Sequence, residues 1–261
     1  MRPTAQSASR CGSAVKDTLR PTPLLNVVKR WLLPHDIRQQ IKRSLFAHQD
    51  MHTRLTNLRR AGFAPSGAVD GGAYRGEWTA ALWSVWPGCP SVMIEPLSDH
   101  RPILRAVAAR TAGSRVISAA IGRASGQVLF RTAETNSSIV PESADDCVVE
   151  IDCTTLDAVV EQASDISLNF LKLDLQGYEL EALAGCGQHL NQFEVILLEM
   201  SLLRIGEGPI FADVHRFLEA AGYRLYDMLP QYYRPLDGAL WQIDAFYVRE
   251  ESSLISSRRW E

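Results

Sequence analysis

From Gly62 onward the chain alternates short apolar runs with amphipathic segments, and this rhythm restricts it to a largely parallel sheet whose strands are joined by crossover helices. A strand over 67–71 leads into a helix over 76–86, and SVMIE is a second strand ending at Glu95. A helix over 99–112 follows, then RVISAAI after Gly113. Gly122 and Gly126 bracket a turn into VLFR, read as an addition at the sheet edge, and a stretch rich in Ser, Thr and Asn separates it from the strand VVEID. Thr154 with Asp157 three residues later is the spacing of a helix start. NFLKLDL then runs to Asp174, a helix over 178–184 stops at Gly185, and FEVILLEM is the next strand. After a helix over 209–221 ended by Gly222, YRLYDML and IDAFYVR form an antiparallel pair at the sheet edge. The expected fold class is α/β, doubly wound and mostly parallel.

The segment before Gly62 has a different character. Residues 1–60 carry twelve Lys or Arg against three Asp, while the whole chain holds 27 basic and 30 acidic residues, so the rest is strongly acidic. Residues 1–23 are rich in Ser, Ala, Arg and Pro without periodicity and read as a disordered tail, although a transit peptide shares that composition. Leu24, Val27, Val28, Trp31 and Leu32 sit at helical spacing around Lys29 and Arg30, and Pro34 stops the run. Such a helix either packs on the main domain or makes peripheral contact with an anionic membrane through residues 24–34. A second helix is expected over 36–60, with His48 and His52 four apart as a solvated pair. The division is thus a tail over 1–23, a basic helical extension over 24–60, a main domain over 61–250 and a C-terminal tail over 251–261. The extension serves dimerisation, an anionic partner or a membrane surface.

Composition excludes two classes. With 46% hydrophobic and 22% charged residues the chain buries an ordinary core, and no apolar run approaches the eighteen or so residues of a membrane-spanning helix. The five cysteines, Cys11, Cys89, Cys147, Cys153 and Cys186, show no metal-ligand spacing and read as reduced thiols of a cytoplasmic protein. No metal ligand is assigned.

Doubly wound folds bind ligands at the carboxyl ends of their strands. AVDGGAYRGEWT places Asp70, Gly71, Gly72, Ala73 and Gly76 between a strand and a helix, where glycines allow a sharp turn and close approach of a ligand. Its spacing departs from GxGxxG, and a carboxylate in the loop repels a pyrophosphate but suits the cationic centres of S-adenosylmethionine. A tight turn between strand and helix would look similar. Glu95 ends the next strand, about two dozen residues on, where an acidic residue binds ribose hydroxyls in either cofactor. In LKLDLQGYELEALAG, Lys172 and Asp174 share one face of a strand, and Asp174 is placed either to take a hydroxyl proton or to pair with Lys172 or the following helix.

These strings resemble the FkbM-type family of S-adenosylmethionine-dependent methyltransferases over about three-quarters of the chain, from about Arg60 to Arg249, with TTLDAVV and DAFYVR in the expected order. The resemblance implies a seven-stranded sheet of the Rossmann-like class I methyltransferase type with an antiparallel edge strand. It implies cofactor roles for Asp70, Gly71, Gly72, Ala73, Gly76 and Glu95, and for Asn136 and Ser137 in a polar loop. It also implies O-methylation of a hydroxyl on a sugar or small natural product. Asp174 is the first candidate base, Glu199 lies beside the acceptor pocket, Glu179 complements a helix dipole, and His215 faces outward. The family usually has Asn where this chain has Tyr74, which either crowds the methionine end or substitutes a phenol for a polar contact.

Two other readings stand beside this one. An NAD-dependent oxidoreductase fits the fold but not the loop spacing, and a non-catalytic nucleotide-binding protein fits the same scaffold. No nucleic-acid partner is expected, since the basic residues are concentrated before residue 60 and DLQG stands where a base-flipping enzyme carries a [DNS]PP[YFW] loop.

Overall fold

Asp50 opens the first described helix, α1 (Met51–Arg60), by accepting from the Thr53 N–H at 2.7 Å. The computed structural model describes residues 50–131, 138–139, 148–205, 208–257 and 259. Because Asp50 has extended backbone, one unbroken helix over 36–60 is not formed, and its last stretch starts from its own cap. His48 and residues 24–34 lie outside the described residues. Gly62, at φ 103°, carries the chain out of the helix, and Leu55 and Leu58 on its inner stripe are buried.

Seven strands form the central sheet: β1 (Ala68–Gly71), β2 (Ser91–Ile94), β3 (Arg115–Ile117), β8 (Phe170–Leu173), β9 (Val195–Ser201), β10 (Tyr223–Tyr233) and β11 (Leu240–Arg249). Their spatial order is β10-β11-β9-β8-β1-β2-β3, reversing direction across β1 as a doubly wound sheet does. The five strands from β9 to β3 are parallel to one another, and β11 runs antiparallel to both β9 and β10. The reversed strand therefore lies one place in from the edge. Strands β1, β2 and β8 are buried on both faces, which is why they read as nearly continuous apolar runs.

Helices α2 (Glu77–Val85), α3 (Arg101–Ala108), α4 (Leu156–Gln162), α5 (Glu179–Ala184) and α6 (Phe211–Ala220) make the crossovers. One apolar cluster joins α4, α5 and α6 to one face of the sheet through Val69, Leu171, Ile196 and Tyr247. A second joins α1 and α2 to the other through Ala68, Phe170, Leu197 and Phe246. Thr155 caps α4 by accepting from the Ala158 N–H at 3.1 Å, so the start signal lies one residue beyond the Thr154 expected. The chain stays attached beyond β11, with Ser252 buried and its hydroxyl donating to Glu194 at 2.9 Å.

VLFR does not extend the central sheet. It belongs to β5 (Gly126–Arg131), which pairs with β6 (Ser138–Ile139) and β7 (Val148–Thr154), and with β4 (Ala120–Ile121) these make a second sheet of order β4-β7-β5-β6. The expected single strand RVISAAI is accordingly split: β3 stays in the central sheet and β4 pairs with β7. Phe130 and Ile139 of this sheet help line the cavity described next. No helix among the described residues is long and apolar enough to cross a membrane.

Candidate active site

The carboxyl ends of β1, β2, β8 and β9 open into a cavity of about 660 Å³, within the range of cofactor sites. Gly72, Ala73 and Tyr74 enter it from the turn after β1. Gly72 (φ 70°) permits that turn, and a Cβ there would lie 1.9 Å from the Asp174 carbonyl oxygen, so no other residue fits. The Gly72 and Ala73 N–H groups both donate to the Ile94 carbonyl at 3.0 Å, tying the turn to β2.

Glu95, the first residue beyond β2, is buried and lines the same cavity. One carboxylate oxygen accepts from the Tyr74 N–H and the other from the Leu97 N–H, each at 2.9 Å. Burial raises its pKa against the pull of those two N–H groups and of His100, whose Nδ1 is 3.7 Å away. Each oxygen keeps acceptor capacity for a ligand hydroxyl. Leu97, Ala119, Ala120 and Phe130 give the adjoining wall an apolar surface.

Asp70 is placed differently. It is fully buried, with one oxygen accepting from the Thr79 hydroxyl at 2.6 Å and the other 3.1 Å from Lys172 Nζ. Lys172 Nζ also donates to the carbonyls of Gly71 (3.3 Å) and Gly72 (2.9 Å). Burial works against its ammonium, but Asp70 and then Asp174 outweigh it and raise its pKa. The pair braces the turn from beneath.

Two residues beyond Lys172, Asp174 follows β8 beside Glu199 of β9, and Glu199 pairs in register with Asp244 of β11. Alternation places these three carboxyls in one row above Lys172, Leu197 and Phe246. Gln176, held at φ 53°, donates from Nε2 to Asp174 and to Glu199, both at 2.8 Å. Burial, reinforced by the charge of Asp174 and a hydrogen bond with it, pushes Glu199 up to about 9. Burial and Asp174 likewise push Asp244 up to about 7, with Gln231 Nε2 donating to its carboxylate. Glu179 is buried at the start of α5, raised by burial to about 7, and accepts from the Leu175 and Gly177 N–H groups at 2.7 and 3.3 Å.

Residues 70–225, more than half of the chain, match the profile of the Methyltransferase FkbM domain. The chain belongs to the FkbM methyltransferase-domain family. Among solved structures this FkbM-domain chain is similar to methyltransferase FkbM from Methylobacillus flagellatus KT, at 18% identity and a TM-score of 0.46. That match covers 80% of this chain and 60% of the other, so the chain spans less than two thirds of that protein's length. It is also similar to 1,6-didemethyltoxoflavin-N1-methyltransferase from Burkholderia thailandensis, whose structure holds 1,6-didemethyltoxoflavin and S-adenosylhomocysteine. There the identity is 12%, the TM-score 0.38 and the coverage 89% and 92% of the two chains. Precorrin-6y C5,15-methyltransferase from Geobacter metallireducens GS-15 is 11% identical with a TM-score of 0.41, over 77% and 89%. No curated protein sequence matches the chain.

Of the residues singled out in this FkbM domain by sequence, the fold brings Gly72, Ala73, Glu95, Asp174 and Glu199 into one cavity. Asp70 and Gly71 lie beneath it, Asp70 occupied by Lys172 and Thr79 and Gly71 packed against Leu173 and Ile121. Asp70 therefore supports the turn from beneath and does not line the cavity. Gly76, at φ 84°, is the N-cap of α2 and does not line the cavity. Asn136 and Ser137 lie outside the described residues. Lys172 takes Asp70 as its near partner, and Asp174 is 3.9 Å away. His215 is half-buried, stacked on Phe211 and 3.1 Å from the Tyr247 hydroxyl, so it does not face outward. Tyr74 has left-handed backbone (φ 48°) and sets its ring edge against His100 at 4.3 Å.

Sequence reasoning missed Gln176, Gln231, Gln242 and Asp244. Gln242 and Asp244 had a signal: two polar residues two apart in an apolar strand share one face. Gln176 had none, because its direction follows from a backbone conformation rare outside glycine.

The raised carboxyls set a pH dependence. A carboxyl whose pKa is raised by folding binds more protons in the folded state, so its contribution is present at low pH and lost as pH rises through the folded pKa. With Asp244 and Glu179 near 7 and Glu199 near 9, the melting temperature is expected to fall from pH 6 to pH 9. Glu199→Gln is expected to flatten the upper part of that decline in differential scanning calorimetry. A parent melting temperature that stays level over this interval contradicts the assignment.

Proposed function

We infer that this FkbM-domain protein is an S-adenosylmethionine-dependent methyltransferase that methylates a hydroxyl of a sugar or small natural product. The observation that carries the reading is the Glu95 carboxylate, buried in the wall of a cavity whose neighbouring surface is apolar and whose far end is acidic. A nucleoside matches the first two of those surfaces, and the acidic end is left to the acceptor. Glu95 accepts the ribose hydroxyls, Leu97, Ala119 and Ala120 contact the adenine, and the turn at Gly72 lets the methionine end approach the main chain. When bound, S-adenosylmethionine supplies an electrophilic methyl group on a sulfonium.

The protein's own task is to hold the acceptor oxygen in line with that methyl group and to remove its proton. Asp174 is the base: its side chain is 37% exposed toward the cavity and is oriented by Gln176. Glu199, near 9, keeps its proton at neutral pH before the acceptor enters and is not a second base. We place the reaction in the cytoplasm, a setting supported by Cys89, Cys153 and Cys186, which are free and buried. The partner we assign is the small-molecule acceptor, without nucleic acid.

Calorimetric titration with S-adenosylmethionine, and separately with NAD, tests the cofactor. Binding of the first alone supports the reading, and binding of NAD in its place overturns it for an oxidoreductase. Asp174→Asn is expected to lower methyl transfer about 10²- to 10⁴-fold while S-adenosylmethionine affinity changes little. Turnover at the parent rate in that variant would remove Asp174 from the chemistry.

A further inference from the structure

Asp174, Glu199 and Asp244 form a wall of carboxyls at the acceptor end, and their charge is only partly answered from within the described residues. Lys172 is the cation at hand, but its ammonium faces Asp70 and the Gly71 and Gly72 carbonyls, reaching Asp174 at 3.9 Å. Glu199 and Asp244 face each other across β9 and β11 with Glu179 nearby, and no described cation forms an ion pair with either.

Gln242 is an independent sign that something binds there. It is 9% exposed, lines the cavity two residues before Asp244 on the same face, and its amide has no hydrogen-bond partner among the described residues. An amide in a cavity wall with no protein partner keeps its donors and its acceptor for a ligand. Gln231 and Gln176, by contrast, are already engaged with Asp244 and with Asp174 and Glu199.

We propose that the acceptor carries an amine beside the hydroxyl it presents, that Glu199 and Asp244 hold this amine as an ammonium, and that Gln242 hydrogen-bonds a neighbouring polar group of the same molecule. The proposal rests on the methyltransferase reading and deepens it. An ammonium has no lone pair, so the methyl group goes to the oxygen and the nitrogen serves as an anchor. Entry of the cation makes the ionised carboxylates more favourable, so binding at pH 7.5 releases a proton to solvent.

The test uses the full chain saturated with S-adenosylhomocysteine, whose own titration is measured first. Glucosamine, glucose and N-acetylglucosamine are titrated in two buffers of different ionisation enthalpy, together with the pair 2-aminocyclohexanol and cyclohexane-1,2-diol. In each set the amine is expected to bind at least about tenfold more tightly than its neutral counterpart, with proton release seen only for the amine. Asp244→Asn and Glu199→Gln are each expected to reduce that preference to about threefold or less, and Gln242→Leu to weaken amine and diol alike. The cofactor titration in the same variants reports an intact fold. Equal binding of amine and neutral counterpart overturns the proposal, and so does absence of binding by every probe. An amine preference that survives both carboxyl substitutions overturns it too. Loss of S-adenosylhomocysteine binding in the parent protein would instead strike the methyltransferase reading.

Discussion

Asp70→Asn is expected to lower the melting temperature by on the order of 10 °C, an effect on the fold larger than any on ligand contact. Asp70 is fully buried and stands 3.1 Å from Lys172, so removing its charge leaves an ammonium in the interior without its near partner. Breaking a buried pair in this way costs about 3–5 kcal/mol, and each kcal/mol shifts the melting point by about 2–4 °C in a domain of this size. Asp70→Leu combined with Lys172→Met should recover much of the loss, because both charges then leave the interior together. Thermal unfolding of Asp70→Asn and of the double variant measures this directly. If Asp70→Asn melts within about 2 °C of the parent yet loses cofactor affinity, the carboxylate touches the ligand and the bracing role is wrong.

Glu95→Ala has the largest expected effect on binding. It removes the acceptors of two part-buried N–H groups, those of Tyr74 and Leu97, and the oxygens that would meet ribose hydroxyls. A hydrogen bond to a charged group contributes about 1.5–3 kcal/mol, so losing two to the ligand weakens S-adenosylhomocysteine binding by two orders of magnitude or more. Glu95→Gln keeps one acceptor oxygen and is expected to lose less. Calorimetry on the three proteins separates the cases, and unchanged affinity in Glu95→Ala would remove this residue from the cofactor site. The double duty of Glu95 also explains how Tyr74 is tolerated: its left-handed backbone is held by the bond from its N–H, and its ring packs on His100.

The course of the main sheet was legible because its strands obey a simple rule. Parallel strands buried on both faces read as apolar runs, and the residues ending them, Glu95 after β2 and Asp174 after β8, mark the edge where ligands bind. The glycines after β1 were legible for a similar reason, since a turn that brings Gly72 against the Asp174 carbonyl admits no side chain. Local chemistry and tertiary role coincide at these positions.

Where they diverge, only the tertiary structure decided. RVISAAI is a continuous strand by propensity, yet its halves enter different sheets, because pairing with β7 depends on a segment some thirty residues away and propensity reports nothing of it. Asp70 has the sequence position of a ligand contact, but register sets it opposite Lys172 and burial closes it off. Asp174 and Glu199 were visible singly, and their union with Asp244 rests on the pairing of β11 with β9, a contact between residues forty-five apart. The proton state of that row is likewise not a property of any one residue. By itself the sequence determined the periodicities, the turns and the chemistry at each strand end. Which carboxyls share a neighbourhood, and therefore which keep a proton, followed from long-range pairing and burial.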